Sequence, residues 1–182
     1  VTLGTNLAVT ANNKDVVYNA EEHSISAAAN IADSTLWYGT TSDGSFSTTK
    51  QLKDEVGKYD IWVKASHPKY ISSPAVKAEL EITKRAITVK PQDEQKFYDG
   101  TLLKPTTSAV INGSIATKDV IDKQTFKGSI TNPGITTSSI TALTLKRAVE
   151  GKDVTDNYKI TKDFGSLQIA TAGSLLLKVD GN

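Results

Sequence analysis

The residues of this chain that could carry out chemistry are few and widely separated. The two histidines, His23 and His67, fall in different predicted turns or edges, whereas a catalytic zinc usually takes three protein ligands, often with histidines at helical spacing. No nucleophile elbow, phosphate loop or dinucleotide fingerprint occurs, and there is no cysteine to form a thiolate. We therefore expect no catalytic residues, no metal and no cofactor, and we do not expect an enzyme.

One group of oxygen ligands does suggest a metal. Asp153, Asp156 and Asn157 lie close together in the sequence, and loop carboxylate and amide oxygens are what calcium prefers. Their spacing, however, fits no known calcium loop. We interpret the group as a structural turn.

Two tryptophans give the clearest indication of binding. Trp62 falls on one face of a predicted strand, and the apolar residues that alternate with it fall on the other: Tyr59, Ile61 and Val63. Trp37 likewise opposes its neighbour Tyr38. An external aromatic patch stacks on sugar rings or anchors a protein partner; the alternatives are cross-strand packing and burial under a neighbouring unit. Trp37, Tyr38 and Trp62 are the candidate ligand-binding residues.

The composition of the chain limits the class of protein to which these residues can belong. The 182-residue chain is 38% hydrophobic and 23% charged, with a net charge of +1, which permits a packed core and argues against nucleic acid as a partner. No apolar run reaches the ~20 residues of a membrane helix, so we expect no membrane insertion. Because the chain opens with Val1 rather than Met, we expect it to be a fragment, either a mature chain or a piece of a longer protein.

Apolar and polar residues alternate along several short runs, which predicts strands rather than helices. The clearest runs are 59–64, 76–83 and 87–89, and Asx-Gly or Pro-containing turns separate them. Short strands at this spacing indicate an all-β sandwich.

The same layout occurs twice. The run Leu7-x-Val9 with Val17-Tyr18-Asn19-Ala20 recurs 80 residues later as Ile87-x-Val89 with Phe97-Tyr98-Asp99-Gly100, and Leu80-x-Ile82 recurs 87 residues later as Leu167-x-Ile169. We predict two tandem units, 1–84 and 85–170, with 171–182 as an edge strand or the start of a further repeat. The short junction near Lys84 favours an elongated pair.

The second unit resembles the YDG-type repeats of bacterial surface proteins. The resemblance covers 85–170 and rests on an ordered set of motifs: Lys96-Phe97-Tyr98-Asp99-Gly100-Thr101, Lys118-Asp119-Val120, Phe126-Lys127-Gly128, Asn132-Pro133-Gly134, Gly151 to Tyr158, and Gly165-Ser166-Leu167-Gln168-Ile169. The first unit, 1–84, is similar to the bacterial immunoglobulin-like repeats often found beside them, with Asn19-Ala20 in place of Asp-Gly.

The resemblance implies two immunoglobulin-like β-sandwich units in a non-catalytic region of an extracellular, cell-wall-associated bacterial surface protein, acting as a stalk, spacer or adhesive module. The implied partners are neighbouring repeats and a host glycan, mucin or matrix protein. The alternatives are a dedicated glycan- or mucin-binding module and an accessory domain of a secreted carbohydrate-active enzyme. An internal lysine–asparagine or lysine–aspartate amide crosslink, known in some such modules, is a further hypothesis, but the sequence does not select the pair.

The Tyr-Asp-Gly motif itself is expected to serve folding. Asp99 is expected to bond the backbone of its own turn and Gly100 to supply a positive φ. Tyr98 is expected to pack its ring inward with its hydroxyl at a polar edge.

Overall fold

A computed structural model of the chain describes residues 2–171. Nearly all regular elements in this range are β-strands, with one short 3-10 helix, which confirms the all-β prediction. Contacts divide the chain into two compact units after Lys84. The segment predicted as an edge strand or further repeat lies, from residue 172 onward, outside the described residues.

The first unit contains seven strands in two sheets. A two-stranded sheet has the order β1-β3, and a five-stranded sheet has the order β2-β7-β6-β4-β5. β1 packs across β6 and β7, so the sheets face each other as an immunoglobulin-like sandwich. The strands are β1 (Val9–Asn12), β2 (Lys14–Val17), β3 (Ser26–Ala29), β4 (Thr35–Gly39), β5 (Phe46–Ser47), β6 (Gly57–Ser66) and β7 (Val76–Thr83).

The second unit is also a two-sheet sandwich. Its sheets have the orders β10-β8-β13 and β11-β12-β14-β9, and β8 packs across β12 and β14. The 3-10 helix (Thr155–Asn157) precedes β13. The strands are β8 (Arg85–Pro91), β9 (Glu94–Phe97), β10 (Ser108–Gly113), β11 (Asp119–Lys127), β12 (Gly134–Arg147), β13 (Tyr158–Lys162) and β14 (Gly165–Ala170).

Both units tie their beginning to their end in the same way. The first strand of each pairs antiparallel within one sheet, and the second strand then pairs parallel to the last strand of the other sheet. In the first unit Val17 pairs with Thr83, and in the second Phe97 pairs with Ala170. The equivalent residues of the two units show the offsets found in the sequence: Phe97 follows Val17 by 80 residues, and Ala170 follows Thr83 by 87.

A third pairing also recurs. Tyr70 bridges Gly4 in parallel, and Tyr158 pairs in parallel with Arg85. Tyr70 and Tyr158 each lie shortly before the last strand of their unit. Their partners, Gly4 and Arg85, each lie at the beginning of that unit. In the second unit, residues from both ends of the unit therefore pair within each sheet, whereas in the first unit the corresponding contact is an isolated bridge outside the named strands.

Alternation along the strands builds the two cores. On β6, Ile61 and Val63 are buried while Trp62 between them is not, as the period of two predicts. The fully buried aliphatic side chains include Ile25, Ile61, Val63, Leu80 and Ile82 in the first unit and Val89, Leu145, Val154 and Leu167 in the second.

The Tyr-Asp-Gly turn has the backbone role expected of it. Asp99 Oδ1 accepts a 2.9 Å hydrogen bond from the Thr101 N–H, and Gly100 has φ +79°. Asn19 and Ala20 form the same turn in the first unit, with Asn19 Oδ1 accepting from the Glu21 N–H at 3.0 Å and Ala20 at φ +66°. An asparagine side chain thus replaces the aspartate, and an alanine takes the left-handed conformation.

The expectation for Tyr98 is wrong. Its side chain is 51% exposed, whereas Tyr18 at the equivalent position is fully buried. Both residues donate the same backbone hydrogen bond to the last strand, Tyr18 N–H to Thr83 O at 2.9 Å and Tyr98 N–H to Ala170 O at 2.8 Å. The motif therefore fixes the backbone, while the surroundings of each unit decide whether the ring is covered.

A buried polar cluster anchors the second unit. The Tyr158 hydroxyl donates to Asp119 Oδ2 at 2.7 Å and accepts from the Ala116 N–H at 3.0 Å. Arg147 Nε donates to the other oxygen of Asp119 at 2.9 Å, and all four residues are buried. Because a buried carboxylate is costly unless it is paired and hydrogen-bonded, each partner here is needed.

Replacing Tyr158 by Phe should destabilise the second unit by about 1–3 kcal/mol, since the substitution leaves the Ala116 N–H without this acceptor and removes one donor from Asp119. Urea unfolding followed by circular dichroism measures the change. Tyr98→Phe, at an exposed ring, is the matched control and should change stability by less than about 0.5 kcal/mol. Equal effects of the two substitutions would contradict the role of the cluster.

The Asp99 carboxyl should titrate at a lower pH than an ordinary aspartate. Hydrogen bonds from the Lys96 ammonium, and then from Thr101, lower its pKa strongly. A lowered native pKa means that the stabilisation is present above the unfolded-state pKa and is lost as the pH falls through the native pKa. Carbon-13 NMR of the carboxyl measures this titration; Lys96→Gln should raise the pKa and Lys104→Gln should leave it unchanged. If Lys96→Gln leaves the pKa of Asp99 unchanged, then Lys96 is not the cause of the lowered pKa.

Candidate functional site

The antiparallel pairing of β4 with β6 brings the two tryptophans together. Trp37 lies opposite Lys64, and Gly39 lies opposite Trp62. Trp37 and Trp62 therefore occupy diagonal positions on one face of the sheet. Both side chains are half-buried, so each keeps part of its indole ring at the surface.

Tyr38 does not share this face. It is only 7% exposed, and it pairs with the buried Val63 on the core side of the sheet. Burial also raises the pKa of its phenol. Of the three residues named from the sequence, Tyr38 therefore contributes to the core and is closed to a ligand.

Phe46 belongs to the same surface and was not predicted from the sequence. It pairs with Gly39 across β4 and β5, and its ring covers the space above this glycine: a Cβ at position 39 would lie 3.1 Å from two ring atoms of Phe46. The only signal in the sequence is the preceding turn Ser42-Asp43-Gly44, since a strand of two residues shows no alternation. We call Trp37, Phe46, Trp62 and Lys64 the aromatic face.

Two interactions hold the side chains of the aromatic face in place. The Trp37 indole Nε1–H donates a 2.8 Å hydrogen bond to Ser66 Oγ. The Lys64 ammonium lies 4.2 Å from the centroid of the Phe46 ring, which is close enough for a cation–π interaction. The indole and the ammonium are therefore positioned before any ligand arrives.

A shallow surface cavity of about 300 Å³ lies at one end of the aromatic face and opens to solvent. Aromatic, cationic and hydroxyl groups all contribute to its wall. Its lining consists of Trp37, Phe46, Lys64, Ala65, Ser66 and Ser72. Such a mixture of apolar rings and a few placed polar groups is typical of small-ligand sites.

The rest of this sheet surface is ion-paired. Lys58 contacts Glu81 at 2.9 Å, and Lys77 contacts Asp60 at 3.1 Å. These pairs link the outward-facing residues of β6 and β7, so charges of opposite sign neutralise each other there. The aromatic face lies beyond them, toward β4 and β5.

The other candidate residues remain apart or serve the fold. The His23 ring contacts Asn19 Oδ1 at 2.8 Å, and burial, with a further contribution from Lys14, lowers the pKa of His23. His67 packs edge-to-face on Tyr70, with ring centroids 5.1 Å apart. Each histidine is thus held by its own local partners.

The calcium candidate is a turn. Asp153 Oδ1 accepts a 2.8 Å hydrogen bond from the Thr155 N–H at the start of the 3-10 helix, and the Thr155 hydrogen bonds lower the pKa of Asp153. Asn157 is buried. Across residues 2–171, no three His, Cys, Asp or Glu side chains come together as a metal site. Within the same range no helix has the length and apolarity needed to cross a membrane.

Comparison with known proteins yields structural overlaps only. No family model and no curated protein matches the chain. Among solved structures, the D00-D0 domain of intimin overlaps at 11% identity, 87% of this chain, 98% of that chain and a TM-score of 0.33. The fibronectin(III)-like modules of CbhA from Clostridium thermocellum overlap at 17% identity, 95% of this chain, 100% of that chain and a TM-score of 0.27.

A Drosophila N-cadherin fragment overlaps at 14% identity, 88% of this chain and a TM-score of 0.25, and the chain spans 65% of that fragment. At TM-scores this low, none of these overlaps carries an argument about function. The assignments of the two units to bacterial immunoglobulin-like and YDG-type repeats stay predictions.

Proposed function

We propose that this chain is a non-catalytic repeat region of a bacterial cell-surface protein, built as a bacterial immunoglobulin-like unit (1–84) followed by a YDG-type unit (85–170), and acting as a stalk, spacer or adhesive module. The supporting observation is the recurrence of one pairing scheme: in both units the second strand runs parallel to the last. Each sandwich is completed by pairing between the beginning and the end of its own unit. A tandem series of such units can carry other parts of a protein away from the cell surface.

The parallel pairing suits a chain under tension. Pulling on the two ends of a unit draws its second strand and its last strand in opposite directions along their common axis. Because these strands are parallel, their backbone hydrogen bonds are strained together rather than one after another. Only Lys84 separates β7 from β8, so tension would pass between the units through a single residue.

The composition is compatible with an extracellular location. The chain has no cysteine and no methionine, so it offers neither a thiol nor a thioether to oxidants outside the cell. Stability instead rests on the two cores and on groups such as the Asp119–Arg147 pair.

Antibodies raised against the folded chain should label intact cells of the organism that produces it, since a surface repeat is accessible without lysis. Flow cytometry before and after permeabilisation measures this, and an antibody against a cytosolic protein is the control. Labelling that appears only after permeabilisation would overturn the surface assignment.

A second candidate function is a glycan- or mucin-binding module, and the aromatic face is the observation that favours it. Two half-exposed indoles and a phenyl ring on one sheet surface offer flat apolar faces to sugar rings. The same face would serve an accessory domain of a secreted carbohydrate-active enzyme. In that case a catalytic domain would be encoded beside this chain.

If the module is adhesive, the chain should bind at least one member of a panel of mucins, glycans and matrix proteins. Trp37→Ala should weaken that binding because it removes an indole from the aromatic face. Surface plasmon resonance with the immobilised chain measures affinity. Tyr98→Ala, which removes an exposed ring from the second unit, is the control and should bind normally. Absence of saturable binding across the panel would exclude this candidate and favour the spacer.

A further inference from the structure

The cavity beside Trp37 combines three kinds of recognition group. The rings of Trp37 and Phe46 provide apolar surface, Lys64 provides a cation, and Ser66 and Ser72 add hydroxyl groups. All of these residues belong to the first unit. The volume of the cavity, about 300 Å³, is at the lower end of the range for ligand-binding sites. Such a volume suits one sugar residue or a similarly small group.

Lys64 differs from the other lysines on this surface. Lys58 and Lys77 both form ion pairs with carboxylates of the neighbouring strands. Lys64 has no carboxylate within salt-bridge distance in the part of the chain that the structure describes, and its ammonium rests against the Phe46 ring instead. A cation placed in this way is free to pair with an anionic ligand at the cavity.

The hydroxyl of Ser66 can still donate a hydrogen bond to a ligand. Its oxygen accepts the Trp37 indole N–H, but a serine hydroxyl also carries one proton to donate. That proton can be given to a sugar oxygen while the bond to Trp37 is kept. The same serine thus fixes the indole plane and presents a donor beside it.

We propose that this cavity binds an acidic saccharide, with a sugar ring against Trp37 and Phe46 and its carboxylate paired with the Lys64 ammonium. The proposal rests on the glycan-binding candidate above and specifies its site and ligand class. Charge complementarity supports it, because the cation on this aromatic face lacks the carboxylate partner that the neighbouring lysines have. A charge-assisted hydrogen bond in a partly enclosed site is among the stronger polar contacts available to a sugar.

The test compares acidic sugars with their neutral counterparts. The probes are 3′-sialyllactose against lactose, and a hyaluronan hexasaccharide against the same oligomer with its carboxyl groups reduced to alcohols. Calorimetry should show binding of at least one acidic member, about tenfold or more tighter than its neutral counterpart. Binding to no acidic member, or equal binding to both members of each pair, would overturn the proposal.

Lys64→Gln tests the cation directly. It should weaken binding of the acidic sugar by about tenfold or more and leave the neutral sugar unaffected. Lys58→Gln is the matched control, since it removes the same charge from the same face of β6 about 20 Å away, beyond the screening length at physiological salt. Equal losses in the two variants would show a general charge effect and refute the site.

The two tryptophans allow the site to be located by fluorescence. Trp62→Phe leaves Trp37 as the chain's single tryptophan, and Trp37→Phe leaves Trp62. The acidic sugar should change the emission of the Trp62→Phe variant and have much less effect on the Trp37→Phe variant. The reverse pattern would place the ligand elsewhere on the aromatic face.

An acidic peptide of matched charge serves as the last control, and binding as tight as that of the sugar would show that charge alone is recognised, contrary to the proposal. None of these outcomes depends on cell-surface labelling. The saccharide site can therefore fail while the surface assignment stands, and the converse also holds.

Discussion

The structure depends on the parallel pairing between the second and last strands of each unit. This pairing joins segments more than 60 residues apart, Val17 with Thr83 and Phe97 with Ala170. It therefore closes one of the two long loops of each sandwich, at an entropic cost that grows slowly with loop length. Once it forms, the sheet that contains it has its full width, and β1 or β8 can pack across its inner face. The aromatic face lies on the same sheet, where the antiparallel ladder between β4 and β6 aligns its residues.

The sequence predicts features that depend on local period and fails where contacts are distant. Alternation along 58–65 correctly separates Trp62 from Ile61 and Val63, because a strand turns successive side chains to opposite faces whatever surrounds it. The same rule puts Tyr38 opposite Trp37, yet naming both as ligand residues required them to be accessible from one side. The sequence does not indicate Phe46, because a strand of two residues is too short to show alternation of apolar and polar residues. The position of Phe46 above Gly39 follows only from the pairing of β4 with β5.

Tyr18 and Tyr98 show why a motif predicts backbone better than burial. Both lie just after the strand that pairs parallel to the last strand, and both donate the same hydrogen bond to it. Their rings nevertheless differ completely in exposure, since side-chain burial depends on residues far away in the sequence. The Asp119–Arg147–Tyr158 cluster has the same origin: its members are separated by up to 39 residues, and no local pattern marks Asp119 as buried.

Lysines on the outer surface of the five-stranded sheet have two kinds of partner, carboxylates in one region and an aromatic ring in another. Toward β7, lysines and carboxylates alternate across strands and pair with each other, which keeps an exposed sheet soluble and adds little stability. Toward β4 and β5, glycine at position 39 removes a side chain, Phe46 fills that space, and Lys64 rests on the ring instead of a carboxylate. A spacer needs only the first arrangement. Because the second leaves a cation and two aromatic rings around a cavity, the first unit carries chemistry that spacing alone does not require, and this asymmetry is the physical basis for assigning it a ligand.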